Sequence, residues 1–262
     1  MMKPILVLIL VTLFLYSCGH SPEKPLSSSN QDMTKANTPS TTDNENTLDI
    51  SKIGLNLTPK STYDSIKSTI PRDKVYFKTY YSRQNERAID SAAQYLYSKL
   101  VNDIVPHWYG TAWDFNGHTD IPNEGNIACG YFVSTTLKHL GFNLNRYKMA
   151  QQAGLNIAMA LQQKSEIKTY RNISYDDLKT KINAVYKDGI YFVALDNHVG
   201  YILIKDRSLY FLHSSYCDYE VMIEPAKTSP CFVSDIYVFA EVTTNKALVK
   251  KWIFNEALVI PN

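Results

Sequence analysis

From residue 63 onward, apolar positions recur first at helical spacing and then at strand spacing. Over Glu86 to Val105, the residues Ile89, Ala92, Ala93, Leu96, Leu100 and Ile104 repeat every three to four positions, which predicts an amphipathic helix ended by Pro106. Tyr63 to Val105 forms the leading helical part. A second helix is expected over Cys129 to Leu140, with Asn126 as N-cap and Gly141 just past the end. Further helices are expected over Tyr147 to Gln163 and over Tyr175 to Tyr186, the latter capped by Ser174. The period then changes to two. Ile190 to Leu195, His198 to Ile204, Ser208 to His213, Glu220 to Ile223 and Asp235 to Val242 predict consecutive antiparallel strands. Helices followed by a meander of strands indicate the α+β class. Between the first two helices, His107 to Asn126 is rich in Gly, Asn, Asp and Trp and lacks a sustained period, so it is expected to be a long functional loop.

The N-terminal residues follow a different pattern. Lys3 precedes a run that is apolar from Ile5 to Leu15 except for Thr12, too short to span a bilayer. It is read as a signal peptide over residues 1–17. The ending Leu15-Tyr16-Ser17-Cys18 resembles the lipobox of bacterial lipoproteins, which implies lipidation of Cys18 and a membrane anchor on the cell envelope, at the periplasmic face or the cell surface. Residues 18–60 are rich in Ser, Thr, Asn, Asp and Pro and are expected to form a flexible tether to a single domain over 61–262. No later segment has the apolar length to cross a membrane.

Composition narrows the possibilities. Hydrophobic residues make up 45% and charged residues 20%, as in a globular chain rather than a disordered or coiled-coil one. With 27 basic and 25 acidic residues, the net charge of +2 offers nucleic acid no electrostatic footprint. Four cysteines are too few for a disulfide scaffold, so each is weighed on its own.

Cys129, His198 and His213 carry the candidate chemistry. A thiol in the first turn of a helix faces the positive end of the helix dipole, which favours thiolate. His198 opens one predicted strand and His213 closes the next. If Ile204 faces Arg207 the two histidines are directly opposite, and if Ile204 faces Leu209 they are diagonal neighbours. Either register puts both imidazoles on one face, where one ring acts as base and the other fixes its tautomer. A metal would need a third ligand, and the chain has no HExxH or paired CxxC, so no metal and no cofactor is expected. His118 and Asp120 are read as solvated loop residues, and Ser165 to Lys168 as a chance SxxK match without its companion motifs. Cys217 and Cys231 either remain buried thiols or form a bridge. A bridge over a loop of about fifteen residues would stabilise the fold by roughly 3 kcal/mol.

Four short motifs in order, Gly110 to Gly117 (GTAWDFNG), Ala128 to Val133 (ACGYFV), His198 to Ile202 (HVGYI) and Phe211 to Ser215 (FLHSS), resemble the NlpC-type cell-wall cysteine peptidases. The resemblance implies a papain-like fold, with Cys129 as nucleophile, His198 as general base and then acid, and His213 as orienter. It further implies that Trp113 and Tyr109 line the oxyanion and substrate side, with Trp113 where the family commonly has Tyr. Ala128 and Gly130 depart from the Asp and Ser that usually flank the cysteine, and the missing Asp removes a usual partner for a free amine. The expected function is hydrolysis of an amide or peptide bond, with peptidoglycan or a peptide as substrate. The same fold also accommodates an acyltransferase or a catalytically inactive surface binding module.

Overall fold

The computed structural model describes residues 55–261. The expected signal peptide, Cys18 and most of the expected tether lie outside them. Packing begins before residue 61, because Leu55 is buried and Leu57 lies against the core.

Helix α1 (Tyr63–Arg83) starts where the Thr62 hydroxyl accepts the Ser65 N–H, and α2 (Asn85–Ser98) follows it almost directly. The helical path does not end at Pro106. It widens into a π-helical turn over Lys99–Ile104 and continues as α3 (Val105–Trp108). The Val105 N–H reaches back to the Leu100 carbonyl, and Pro106 falls in the first turn of the new helix, where a missing N–H costs little.

Helix α4 (Cys129–His139) has Ala128 at its N-cap, not Asn126, and no side chain caps it. Its other end follows the expectation for Gly141. The Gly141 N–H bonds to Lys138 O and the Phe142 N–H to Leu137 O, the pair of bonds that closes a helix on a left-handed residue. The expected helix over 147–163 is two pieces, α5 (Arg146–Ala150) and α6 (Gly154–Leu161). The break lets the Ala150 carbonyl approach Gly130 so closely that a Cβ there would lie 2.5 Å from the oxygen.

The sheet holds β1 (Lys168–Arg171), β2 (Gly189–Ala194), β3 (Val199–Lys205), β4 (Ser208–Ser214), β5 (Val221–Pro225) and β6 (Ile236–Glu241), in the order β1-β6-β2-β3-β4-β5 with every pairing antiparallel. Helix α7 (Tyr175–Val185) is capped by the Ser174 hydroxyl on the Asp177 N–H, as expected, and α8 (Lys246–Ile253) is capped by Asn245. The chain is therefore α+β with an antiparallel sheet. Strand β2 is buried along its whole length because both sheet faces are covered. Ile190 and Phe192 join the core shared with α4, α6 and α8, whereas Tyr191 and Val193 join Leu178 and Ile182 of α7.

Helix α4 packs on β3 and β4. Tyr201 of β3 fastens it, its hydroxyl donating to the Val133 carbonyl (3.0 Å) and pairing with Thr136 Oγ1 (2.8 Å) while fully buried. This sets the cysteine-bearing end of α4 against the start of β3.

Gly130→Ser drives its Cβ into the Ala150 backbone. Urea unfolding is expected to show a loss of about 1–3 kcal/mol at unchanged slope. Wild-type stability in this variant would contradict the packing described.

Candidate active site

The β3–β4 hairpin selects the diagonal register. Ile204 faces Leu209 and Lys205 faces Ser208, so the turn is the pair Asp206-Arg207, both at positive φ (48° and 62°). That is a turn whose twist matches the flanking strands. Continued, the register puts Gly200 opposite His213. A Cβ at Gly200 would lie 2.7 Å from the Phe211 ring and 2.9 Å from the His213 Cβ. The glycine makes room for the His213 ring, which stacks on Phe211 at 3.9 Å.

The two imidazoles meet directly. His198 Nε2 lies 2.8 Å from His213 Nδ1, and His213 Nε2 lies 3.0 Å from Glu224 Oε1 on β5. Ser229 Oγ donates to the same carboxylate oxygen at 2.5 Å. The hydrogens follow in order. A carboxylate only accepts, so His213 carries its proton on Nε2 and leaves Nδ1 bare. His198 must then donate from Nε2, which leaves its own Nδ1 as a lone pair. That atom is buried and has no hydrogen-bond partner among the described residues. Burial, and secondly the charge of His213, push the His198 pKa down to about 3. Burial also lowers that of His213, against the hydrogen bond to Glu224. Both rings are therefore neutral near pH 7, as this tautomer chain requires.

Cys129 sits half-buried at the first position of α4. The backbone N–H groups of Val199, Gly130 and Cys129 itself lie near its sulfur and act to lower the thiol pKa. Burial nevertheless raises the thiol pKa above its ordinary value. Burial therefore acts against the helix N-terminus, whose position favours thiolate. The sulfur lies beside the backbone of Val199, next to His198 in sequence, and makes no hydrogen bond to the imidazole.

Other elements hold these parts in place. Ser214 Oγ donates to the Ile127 carbonyl at 2.7 Å, fastening β4 to the segment that enters α4. Ile127 N–H donates to Ala112 O and Ala128 N–H to Gly117 O, so the expected loop threads under the cysteine. Trp113 packs against Tyr216 (6.3 Å), which in turn meets the His198 ring edge-on at 5.0 Å. Tyr109 lies near Glu220 and Glu224, whose charges add to the effect of burial in raising its phenol pKa. Among the described contacts, neither aromatic side chain hydrogen-bonds Cys129. His118 is exposed and turns its Nδ1 to the Asn116 carbonyl (2.9 Å).

A disulfide joins Cys217 to Cys231, with Cα atoms 6.0 Å apart. It ties Tyr216, the cover of His198, to the short 3-10 turn Pro230–Phe232 that follows Ser229. Glu224, Ser229 and Tyr216 were not legible as site residues. The strand expected over Glu220 to Ile223 stops one residue before Glu224, and nothing in the local sequence shows what a strand carboxylate faces.

No family model, curated protein or solved structure matches this chain. Among the described residues, no helix is long and apolar enough to cross a membrane.

The lowered pKa of His198 has a sign. Below about pH 6.5 the unfolded chain binds a proton on this residue that the folded one refuses until about pH 3, so its contribution favours folding at neutral pH and is lost on acidification. His139, depressed to about 4 mainly by burial, acts in the same direction. Urea titrations from pH 7 to pH 4 are expected to show falling stability, with a shallower fall for His198→Asn. Parallel profiles would refute the buried neutral imidazole.

Proposed function

We propose that the chain is a cysteine hydrolase that cleaves an amide or peptide bond, with Cys129 as nucleophile, His198 as base and acid, and His213 with Glu224 as the orienting pair. The observation that carries this reading is the tautomer chain Glu224–His213–His198, which ends in a bare, unpartnered Nδ1 at the end of the sheet where Cys129 is set. A cysteine helix packed on the strand that carries the histidine also supports the papain-like arrangement.

In this reading substrate binding brings the thiol to His198 Nδ1, which takes its proton as the sulfur attacks the carbonyl carbon. The uncapped start of α4 offers backbone N–H groups to the developing oxyanion. His198 then gives the proton to the leaving amine, and the acyl thioester remains. Water, deprotonated by the same nitrogen, attacks the thioester, and the sulfur leaves as thiol. The transient imidazolium is stabilised through His213 by the Glu224 carboxylate. Peptidoglycan is the substrate that the motif resemblance favours. A lipid anchor at Cys18 and a tether would suit an enzyme acting on a polymer away from its membrane.

One observation favours a binding module with no turnover, namely the burial that raises the Cys129 thiol pKa. Alkylation separates the two readings. Hydrolysis predicts that His198→Ala slows the modification of Cys129 by iodoacetamide, whereas a rate indifferent to His198 favours the binding module.

On isolated cell wall, mass spectrometry of released products is expected to show cleavage that Cys129→Ala abolishes and His198→Ala reduces by about 10²–10⁴-fold. Glu224→Gln is expected to lower kcat by at least about tenfold with little change in KM, because it disturbs tautomers rather than binding. Product release unchanged by Cys129→Ala would overturn the proposal.

A further inference from the structure

The histidine pair has a third potential metal ligand that the sequence did not show. The Cys231 sulfur and one ring nitrogen each of His198 and His213 all lie within 4.8 Å of one another, and all three residues are buried. In the disulfide, Cys231 carries no charge and its sulfur is bonded to Cys217. We propose that reduction of this disulfide converts the relay into a binding site for zinc or a similar borderline divalent cation, with His198 Nε2, His213 Nδ1 and the Cys231 thiolate as ligands.

The chemistry of the donors fits. Two imidazoles and a thiolate suit zinc or cobalt(II), with a fourth position left for water. His213 is already prepared, because its Nδ1 is bare and its Nε2–H is held by Glu224. A carboxylate behind a ligating histidine is the usual support of such a site. His198 needs only to move its hydrogen from Nε2 to Nδ1. The two nitrogens, now 2.8 Å apart, must open to about 3.3 Å to share a tetrahedral ion at ~2.0 Å each.

The route to the reduced state is also built in. Cys217 is the more exposed residue of the bridge, and Cys231 is 1% exposed. A dithiol reductant attacking Cys217 forms a mixed disulfide there and expels Cys231 as thiolate beside the histidines. The second thiol of the reductant then displaces Cys217 and leaves as a cyclic disulfide, so the two electrons come from the dithiol. The Cys231 thiolate takes up the metal directly, or its thiol releases one proton on doing so. The bound ion would occupy both nitrogens that now share the inter-imidazole hydrogen bond. The disulfide thus reserves the pair for proton transfer, and its reduction would trade the relay for a metal centre.

The test uses the whole chain with Cys18, Cys129 and Cys217 replaced by serine, so that Cys231 is the sole thiol, and cobalt(II) as probe. One equivalent is expected to give a thiolate-to-cobalt charge-transfer band with tetrahedral ligand-field absorption, and zinc to displace it. Cys231→Ser or His213→Ala in this background is expected to abolish the band, and Glu224→Gln to weaken affinity by about 10- to 100-fold. A second measurement does not depend on that variant folding. The chain carrying only Cys18→Ser and Cys129→Ser is expected to bind cobalt(II) after treatment with a dithiol and to lose it on reoxidation. The absence of a band in both proteins would overturn the proposal, as would a band that survives Cys231→Ser. Cobalt binding requires no turnover, so this outcome is independent of whether the chain hydrolyses anything.

Discussion

The site depends on one constraint: a carboxylate cannot donate a hydrogen bond. Glu224 accepts from His213, which forces the hydrogen of that ring onto Nε2, and the bare Nδ1 then forces the hydrogen of His198 onto its own Nε2. One acidic side chain on β5 therefore decides the protonation of an atom two residues away along a hydrogen-bonded line. Burial makes the decision firm, because it disfavours a second proton on either ring.

The surrounding fold maintains this line. The Asp206-Arg207 turn sets a register in which Gly200 vacates the space that the His213 ring needs. Phe211 stacks on one imidazole and Tyr216 closes over the other. Ser229 holds the carboxylate, and the disulfide binds the segment that carries Ser229 to the segment that carries Tyr216. The cysteine is fixed separately, by Tyr201 holding α4 on β3 and by Ser214 holding the segment that enters α4.

Much of this was legible in the sequence where the signal was local. The three-to-four spacing ending at Gly141 located α4 and put Cys129 in its first turn, and both hairpin registers with an even offset put His198 and His213 on one face. Tertiary events were not legible. Pro106 was expected to stop a helix, but a π-helical turn absorbs it. The split between α5 and α6 serves the approach of the Ala150 carbonyl to Gly130, which no periodicity reports. Strand β1 is mostly exposed and has no alternation to read. The burial that raises the Cys129 thiol pKa was not legible either, because the helix dipole is a local effect whereas desolvation comes from the whole surrounding core.

The most direct measurement is nitrogen NMR of the imidazoles in chain uniformly labelled with ¹⁵N, at neutral pH with the disulfide intact. The tautomer chain predicts protonated Nε2 and pyridine-like Nδ1 for both His198 and His213, with a hydrogen-bond coupling from His198 Nε2–H to His213 Nδ1. A proton on His198 Nδ1, or an imidazolium at either residue, would contradict it.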